Sequence, residues 1–259
     1  PFAVGTRLTH EKQDTDGLAG LACYLLFLLA QAPVGRILPW VTLPPGVMLS
    51  GVSGTLWHGY VEQVRWQNVV LGKIEWRLPL TSVLLADPVL ELTLKDRQTL
   101  SGQLELGWQG GPRVRDVALH SDAEWLLGQS PLPLPVGASG PLQLTLAEAR
   151  VNLQGQCQQV QGRLQWRNAV VTSPMGELQL ATAEAALSCE KGKLVARLQQ
   201  GSEQLSVAGR GELDAAGNYR FEGTLTPGAN LPPAFAQGVS YLGPRDSQGA
   251  IRLNYVGRF

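Results

Sequence analysis

The sequence predicts a mainly β protein, with an antiparallel curved sheet or sandwich built from two related β units and preceded by one N-terminal transmembrane helix. Three observations support this prediction. An apolar run lies near the start of the 259-residue chain, and apolar and polar residues alternate through most of the remainder. Glycines also recur at intervals of roughly 8 to 12 residues, a spacing typical of antiparallel meanders.

The apolar run near the start of the chain is predicted to cross a membrane. It covers residues 18–34, and no charged residue occurs between Asp16 and Arg36. A helix of this length spans roughly 26 Å at about 1.5 Å per residue, close to the thickness of the hydrocarbon core of a bilayer. We therefore predict a short cytoplasmic tail at residues 1–17 and a single transmembrane helix at residues 18–40.

A cleaved secretory signal is the alternative interpretation of the same run. Ala30, Gln31 and Ala32 form a small-x-small triplet of the kind found at signal cleavage sites. Pro33 would then be the first residue of the mature chain, where proline is poorly tolerated. The tail before the run also lacks the basic character of a signal sequence. These two features favour an uncleaved anchor.

The cysteines indicate the compartment. Cys23 lies within the apolar run and is predicted to be a buried, unpaired thiol. Cys157 and Cys189 lie in the remaining chain, where we predict that they form one disulfide bond; two unrelated buried thiols are the alternative. A disulfide needs an oxidising compartment, which for a bacterial protein is the periplasm. We therefore predict a single-pass inner-membrane protein with most of its chain in the periplasm.

The balance of charge argues against one class of partner. The chain has 21 basic and 21 acidic residues, and charged residues make up only 16% of it. A neutral domain with scattered basic residues has no electrostatic footprint for nucleic acid. We therefore expect the chain to contact a membrane and no nucleic acid.

Strand-like alternation begins after the stiff segment LPPG at residues 43–46. The clearest example is the segment KIEWRL at residues 73–78, where charged and hydrophobic residues alternate with the period of a strand that has one solvated face. Similar segments follow to the end of the chain. Two short helices are predicted among them, at residues 122–128 after an aspartate N-cap and at residues 233–242 with a proline at the start.

An internal repeat divides the β region into two related units. The segment WQNVV at residues 66–70 recurs as WRNAVV at residues 166–171, and each copy is followed by a glycine turn and an alternating strand. We predict a first periplasmic β unit at residues 44–130 and a second at residues 136–259. The boundary falls in the proline-rich segment 131–135.

The sequence lacks the patterns of the common catalytic and metal sites. His10, His58 and His120 are isolated in the sequence, and it contains neither a nucleophile elbow nor a phosphate-binding loop. We therefore predict no enzymatic activity, no cofactor and no metal site. Five tryptophans in strand contexts are predicted to pack in the core, namely Trp57, Trp66, Trp76, Trp108 and Trp166.

Several motifs resemble those of the type II secretion system protein N family, also called general secretion pathway protein N. The resemblance is strongest in the segment LSGVSGTLWHG at residues 49–59, which Trp66 follows, and it continues at residues 157–166, 174–176 and 187–189. The motif residues are expected to be structural, and they are Gly51, Gly54, Leu56, Trp57, Gly59, Trp66, Trp166 and Gly176.

The resemblance implies an accessory, non-catalytic inner-membrane component of the bacterial type II protein secretion system, which supports assembly or partner contacts in the periplasm. The expected partners are other inner-membrane components of the apparatus, or the outer-membrane secretin. It also implies a short N-terminal tail, one membrane span and an all-β domain, in agreement with the pattern of residues described above.

Two other functions stay open at this point. Alternation over many strands gives one apolar face that two short helices hardly cover. This favours a periplasmic lipid- or hydrophobe-binding β module involved in envelope transport. Exposed tryptophans would instead suit the binding of a glycan, the weaker of the two alternatives.

Overall fold

The computed structural model describes residues 30–40, 45–67, 69–96, 99–129 and 136–258, together with residues 20, 24, 27 and 28. The predicted cytoplasmic tail, much of the predicted membrane helix and the predicted boundary between the two β units lie outside the described residues. The described part is mainly β and antiparallel, which confirms that portion of the predicted fold class.

Within the described residues, 15 strands form a single antiparallel sheet. The strands are β1 (Val47–Gly54), β2 (His58–Trp66), β3 (Val69–Leu71), β4 (Ile74–Arg77), β5 (Val89–Lys95), β6 (Leu100–Gly107), β7 (Arg113–Asp122), β8 (Gly137–Ser139), β9 (Pro141–Val151), β10 (Cys157–Ser173), β11 (Gly176–Glu190), β12 (Lys193–Gly201), β13 (Leu205–Leu213), β14 (Asn218–Pro227) and β15 (Ile251–Arg258). The helices are α1 (Val34–Ile37), α2 (Leu80–Leu84), α3 (Ala123–Gly128) and α4 (Pro233–Ser240), and Leu38–Trp40 forms a 3-10 turn.

The strands follow one another across the sheet almost in chain order. β3 and β4 pair in turn with the two ends of β2, and β8 and β9 pair in the same way with β10. Each pair of strands therefore acts as one interrupted strand, and the sheet is an open meander with β1 and β15 at its edges. The described strands form this one sheet rather than the sandwich that was the other predicted arrangement.

The predicted boundary between the two units does not interrupt the sheet. β7 pairs with β9 from the pair Arg113 and Arg150 to the pair Asp122 and Pro141. The two copies of the tryptophan segment do have a structural counterpart, because Gln67 (φ 53°) and Asn168 (φ 47°) adopt left-handed backbone conformations just after the tryptophans. Such residues break regular strand geometry: β2 ends at Trp66 in the first copy, and the β10–β11 register shifts between Trp166 and Ala169 in the second.

The segment before β1 contacts the sheet at the turn between β1 and β2. The described residues at positions 20, 24, 27, 28 and 30 are helical, and Gln31 forms a turn. Pro33 then pairs with Thr55, and the backbone N–H of Leu56 donates to the carbonyl oxygen of Ala32 at 3.0 Å. Among the described residues, no helix has the length and apolar character needed to span a bilayer, so the transmembrane helix at residues 18–40 stays a prediction.

Two of the short helices agree with the predicted positions. α3 follows Asp122, and α4 begins at Pro233. Sequence analysis missed α2, which begins directly after Pro79. A proline at that position is a helix-start signal, but five residues give too little periodicity to detect a helix.

A disulfide bond joins Cys157 at the start of β10 to Cys189 near the end of β11, with the two Cα atoms 5.6 Å apart. The backbone N–H of Cys157 also donates to the carbonyl oxygen of Gly192 at 3.0 Å, which ties the open end of the β10–β11 hairpin to the turn between β11 and β12. The bond therefore closes one end of a hairpin that lies in the middle of the second half of the sheet.

Removal of this disulfide is expected to lower the free energy of unfolding by about 3–4 kcal/mol, because the bond closes a loop with a separation of 32 residues in the unfolded chain. Chemical denaturation of the Cys157→Ser/Cys189→Ser double variant, followed by tryptophan fluorescence, measures this loss. The wild-type protein should show a similar loss on reduction, and the double variant should not respond to the reductant. Equal stability of the two oxidised proteins would contradict the expectation.

Candidate binding surface

One face of the sheet is apolar over most of its width. Residues opposite each other on neighbouring antiparallel strands project from the same face. One such row crosses β7, β9, β10, β11, β12 and β15 and consists of Leu119, Leu144, Leu164, Ala185, Leu198 and Leu253, with Gly209 and Gly223 on the intervening β13 and β14. The apolar face predicted from the alternation is therefore continuous from the middle of the sheet to its C-terminal edge.

The sheet curves strongly in its second half. A methyl group added at Gly155, in the turn between β9 and β10, would lie 3.6 Å from the Cβ atom of Ala215 in the turn between β13 and β14. A flat sheet would hold these two turns about 19 Å apart, since four strand spacings of about 4.8 Å separate them. The turn between β11 and β12 joins the same group, because a methyl group at Gly192 would lie 3.7 Å from the Cβ atom of Gln156.

The curvature encloses a cavity of about 430 Å³ on the apolar face. This volume lies in the range of small-molecule binding sites. The lining comes from β9 to β13 and from the three converging turns, and it consists of Leu144, Leu146, Ala149, Val151, Gly155, Cys157, Val160, Leu187, Gly192, Leu194, Leu213, Asp214 and Ala215. Asp214 is the one ionisable residue in this lining, so the cavity suits an apolar group more than a charged one.

Helix α4 covers the opposite end of the same curved region. Its Val239 belongs to a buried cluster with Leu205, Leu225 and Ile251, which come from β13, β14 and β15. Its Phe235 is also buried, and a methyl group at Gly176, in the turn between β10 and β11, would lie 3.6 Å from the Phe235 ring. The helix therefore bridges the turn between β10 and β11 and the C-terminal edge of the sheet.

A buried glutamine holds the backbone near this helix. Gln200 is only 9% exposed, and its side-chain amide donates to the carbonyl oxygens of Leu180 at 2.8 Å and Leu205 at 3.0 Å. These two acceptors lie on β11 and at the start of β13, on either side of β12. Replacement by an apolar residue would leave these carbonyl oxygens without the amide donor.

The opposite face of the sheet is polar and carries ion pairs that cross from strand to strand. Lys95 on β5 pairs with Glu75 on β4 at 2.6 Å, and Lys193 on β12 pairs with Glu212 on β13 at 3.3 Å. Glu190 on β11 contacts both Arg210 and Arg197. The hydrogen bond from Arg210, aided by that from Arg197, holds the pKa of the Glu190 carboxyl below its usual value near 4.5, so this group stays ionised at neutral pH.

The first two strands, β1 and β2, form a tight hairpin whose turn pairs with the N-terminal segment. Gly54 (φ +114°) lies opposite Gly59, and a methyl group at Gly59 would overlap the Trp76 ring. The indole N–H of Trp76 donates to the carbonyl oxygen of Thr55 at 3.3 Å. The turn that Trp76 supports is the one that pairs with Pro33.

The structure brings part of the predicted motif together and leaves the rest apart. Gly51, Gly54, Leu56, Trp57 and Gly59 belong to the β1–β2 hairpin or its turn. Trp166 lies on β10, where its indole N–H donates to the carbonyl oxygen of Ser139 at 3.1 Å, and Gly176 begins β11 in contact distance of α4. Trp66 lies at the far end of β2, and the two cysteines lie at the open end of the β10–β11 hairpin, so the predicted residues occupy several separate positions in the sheet.

The prediction that the strand tryptophans pack in a core is wrong for two of them. Trp66 is 54% exposed and Trp108 is 66% exposed, whereas Trp57, Trp76 and Trp166 are partly buried. Trp66 ends β2, next to the edge strand β1, and Trp108 follows the end of β6. The alternation of apolar and polar residues predicted burial for both side chains. Side chains at the edge of the sheet and at strand ends have fewer neighbours to bury them, so these two tryptophans stay exposed.

Other interactions had no distinctive sequence signal. Arg113 is buried, and its guanidinium donates to both carboxylate oxygens of Asp87 at 3.0 Å, which ties the loop after α2 to β7. His58 lies near Thr55, and His120 lies on β7, while His10 lies outside the described residues. In the part of the chain that the structure describes, no group of three or more histidine, cysteine, aspartate or glutamate residues is placed to hold a metal ion.

The chain is similar in sequence to a family of secretion proteins. The family model for "Type II secretion system (T2SS), protein N" matches residues 45–254. Among curated proteins called Type II secretion system protein N, that of Aeromonas hydrophila is 40% identical over 92% of this chain and 95% of its own. The Klebsiella pneumoniae protein is 35% identical, covering 95% and 96%, and the Pectobacterium carotovorum protein is 34% identical, covering 93% and 96%. No solved structure matches the chain.

The Gly59→Ala substitution is expected to lower the free energy of unfolding by about 1–3 kcal/mol, because the added methyl group would overlap the Trp76 ring and the carbonyl oxygen of Ser53. The matched control is Gly128→Ala at the end of α3, where no atom lies within 4 Å of the added methyl group. Denaturant unfolding of both variants makes the comparison. Equal stability of the two variants would show that close packing at Gly59 is not required.

Proposed function

Because the chain belongs to the type II secretion system protein N family, we propose that it is an accessory, non-catalytic component of that apparatus. In this proposal an uncleaved helix anchors the chain in the bacterial inner membrane, and the sheet lies in the periplasm. The sheet supports assembly by contacting other inner-membrane components of the apparatus, or the outer-membrane secretin.

Two local features support the proposed location. The disulfide between Cys157 and Cys189 suits an oxidising compartment such as the periplasm. The β1–β2 turn pairs with Ala32 and Pro33, which directly follow the apolar run that is predicted to be the anchor. The sheet would therefore start close to the membrane surface.

The open edges of the sheet are the observation that carries the proposed role. A single meander ends in two edge strands, β1 and β15, and no further strand of the described residues lies beside either of them. Their outer edges can therefore pair with an added strand. Strand addition to a sheet edge is a common way for one protein to recruit another. It needs neither a cofactor nor a catalytic residue.

A photo-crosslinking amino acid at Asn254, on edge strand β15, is expected to form adducts with another component of the apparatus in actively secreting cells. The matched control is the same amino acid at Gln161, an equally exposed polar position on central strand β10. Immunoblotting against the inner-membrane components and the secretin measures the adducts. The proposal fails if neither position gives an adduct, or if both positions crosslink to the same extent.

Binding of a hydrophobic molecule is the second candidate function, and the cavity on the apolar face favours it. Its volume of about 430 Å³ and its apolar lining would accommodate an acyl chain. A secretion component could also bind such a molecule. If this chain does, the isolated protein should carry a bound lipid.

If the cavity holds a lipid, native mass spectrometry of the detergent-solubilised protein should show an adduct of lipid mass with fixed stoichiometry. Leu146→Glu should remove the adduct, because it places a charge in the cavity lining. Thr145→Glu is the control, since Thr145 is the exposed neighbouring residue. Absence of the adduct from the wild-type protein, or its survival in Leu146→Glu, would exclude this function.

A further inference from the structure

The C-terminal edge strand β15 differs from its neighbours in its charges. Cross-strand ion pairs recur along the polar face, for example Lys95 with Glu75 and Lys193 with Glu212. β15 contains Arg252 and Arg258 and no acidic residue. Both arginines are exposed, and neither forms an ion pair with another described residue. The Nε–H of Arg258 donates to the carbonyl oxygen of Ala216 at 3.2 Å, which leaves the two terminal nitrogens of its guanidinium for a carboxylate. On the inner side, β14 offers Thr224 opposite Arg252 and Asn218 opposite Arg258.

Within the described part of the chain, the outer edge of β15 pairs at a single position. Arg245 pairs with Ile251 at the start of the strand. The pairing stops there, because Pro244, the residue before Arg245, has no N–H to donate. Among the described residues, the outer edge from Leu253 to Arg258 has no other strand beside it.

Apolar and polar residues alternate along β15, and this pattern determines which residues an added strand needs on each of its faces. Leu253 and Tyr255 continue the apolar face, and Tyr255 is 50% exposed. Asn254 and Arg258 lie on the polar face together with Arg252. An added strand therefore needs apolar residues opposite Leu253 and Tyr255. It needs acidic residues opposite Arg258 and near Arg252.

A second copy of this chain does not meet these requirements. Antiparallel pairing of two β15 strands about Tyr255 would place Arg252 of each copy opposite Arg258 of the other, and like charges directly opposite are unfavourable. The other edge strand, β1, contains no acidic residue. Its neighbouring turn is already paired with Pro33.

We infer that the outer edge of β15 binds an extended segment of a partner protein in which acidic residues on one face alternate with apolar residues on the other. The added strand pairs with Leu253–Arg258 and extends the sheet by one strand. Its carboxylates form ion pairs with Arg252 and Arg258. This inference deepens the proposed role in partner contacts by specifying the edge and the chemistry of the partner segment, and the partner's membership in the apparatus rests on the proposed function.

The test uses a peptide probe whose acidic residues are placed by the register. In antiparallel pairing, the core sequence Glu-Val-Thr-Val-Glu-Leu puts its first residue opposite Arg258 and its fifth opposite Asn254, diagonal to Arg252. The control peptide replaces both glutamates by lysine. Hydrogen exchange of the full-length protein in neutral-lipid nanodiscs is measured with each peptide, because strand addition protects backbone amides and simple charge attraction at the surface does not.

The expected result is protection of the amides in residues 252–258 by the acidic peptide and not by the basic one. The Arg252→Glu/Arg258→Glu variant should bind the acidic peptide about tenfold more weakly and should prefer the basic peptide, because two cross-strand attractions become repulsions. The Arg252→Gln/Arg258→Gln variant should bind both peptides equally. Unchanged exchange in the rest of the sheet shows that each variant is folded.

Four results would overturn the inference. They are no protection by the acidic peptide, equal protection by both peptides, protection that rises with protein concentration alone, and protection by anionic lipid without peptide. The last two would assign the edge to a second copy or to the membrane. A failed peptide test with intact crosslinks from Asn254 to the apparatus would reject only the proposed chemistry of the partner segment, whereas peptide binding without such crosslinks would reject the proposed function and leave the edge chemistry standing.

Discussion

A one-layered sheet with one apolar face is the constraint on which the rest of this structure depends. Almost every strand pairs with a strand close to it in the sequence, so the backbone hydrogen bonds of the described strands form without a second layer. The apolar face still has to be removed from water, and the described helices are too few and too short to cover it. Curvature of the sheet supplies part of the cover, because it brings residues from separate strands together across the concave side.

The most strongly curved region combines several features that reinforce one another. The three turns that close over the cavity include the ends of the hairpin that the disulfide constrains. Helix α4 covers the far end of the same region. There the buried side-chain amide of Gln200 donates hydrogen bonds to backbone carbonyl oxygens on β11 and β13. Ion pairs around Glu190 hold the same strands from the polar face. A cavity therefore persists where a flat sheet would expose its apolar side chains.

At the N-terminal end of the sheet, close packing at Gly59 explains why the family motif of the β1–β2 hairpin contains a glycine there. The contact of the Trp76 ring with Gly59, and its hydrogen bond to Thr55, fix the turn that pairs with Pro33. The turn thus holds the chain that leaves the apolar run. β1 ends at this turn, while β15 lies at the opposite edge of the sheet with its arginines exposed. The proposed role separates these two edges, with membrane attachment at one and partner binding at the other.

The sequence by itself determined the secondary structure class, because alternation with period two reports which face of a strand avoids water. It also indicated α3 and α4 through Asp122 and Pro233, and it carried the family motif. The tertiary structure decided that one sheet continues past the predicted boundary, that Trp66 and Trp108 are exposed, and that the three turns meet. These outcomes depend on strand register and on sheet curvature, which arise from contacts between residues far apart in the chain. Local patterns contain no information about such contacts.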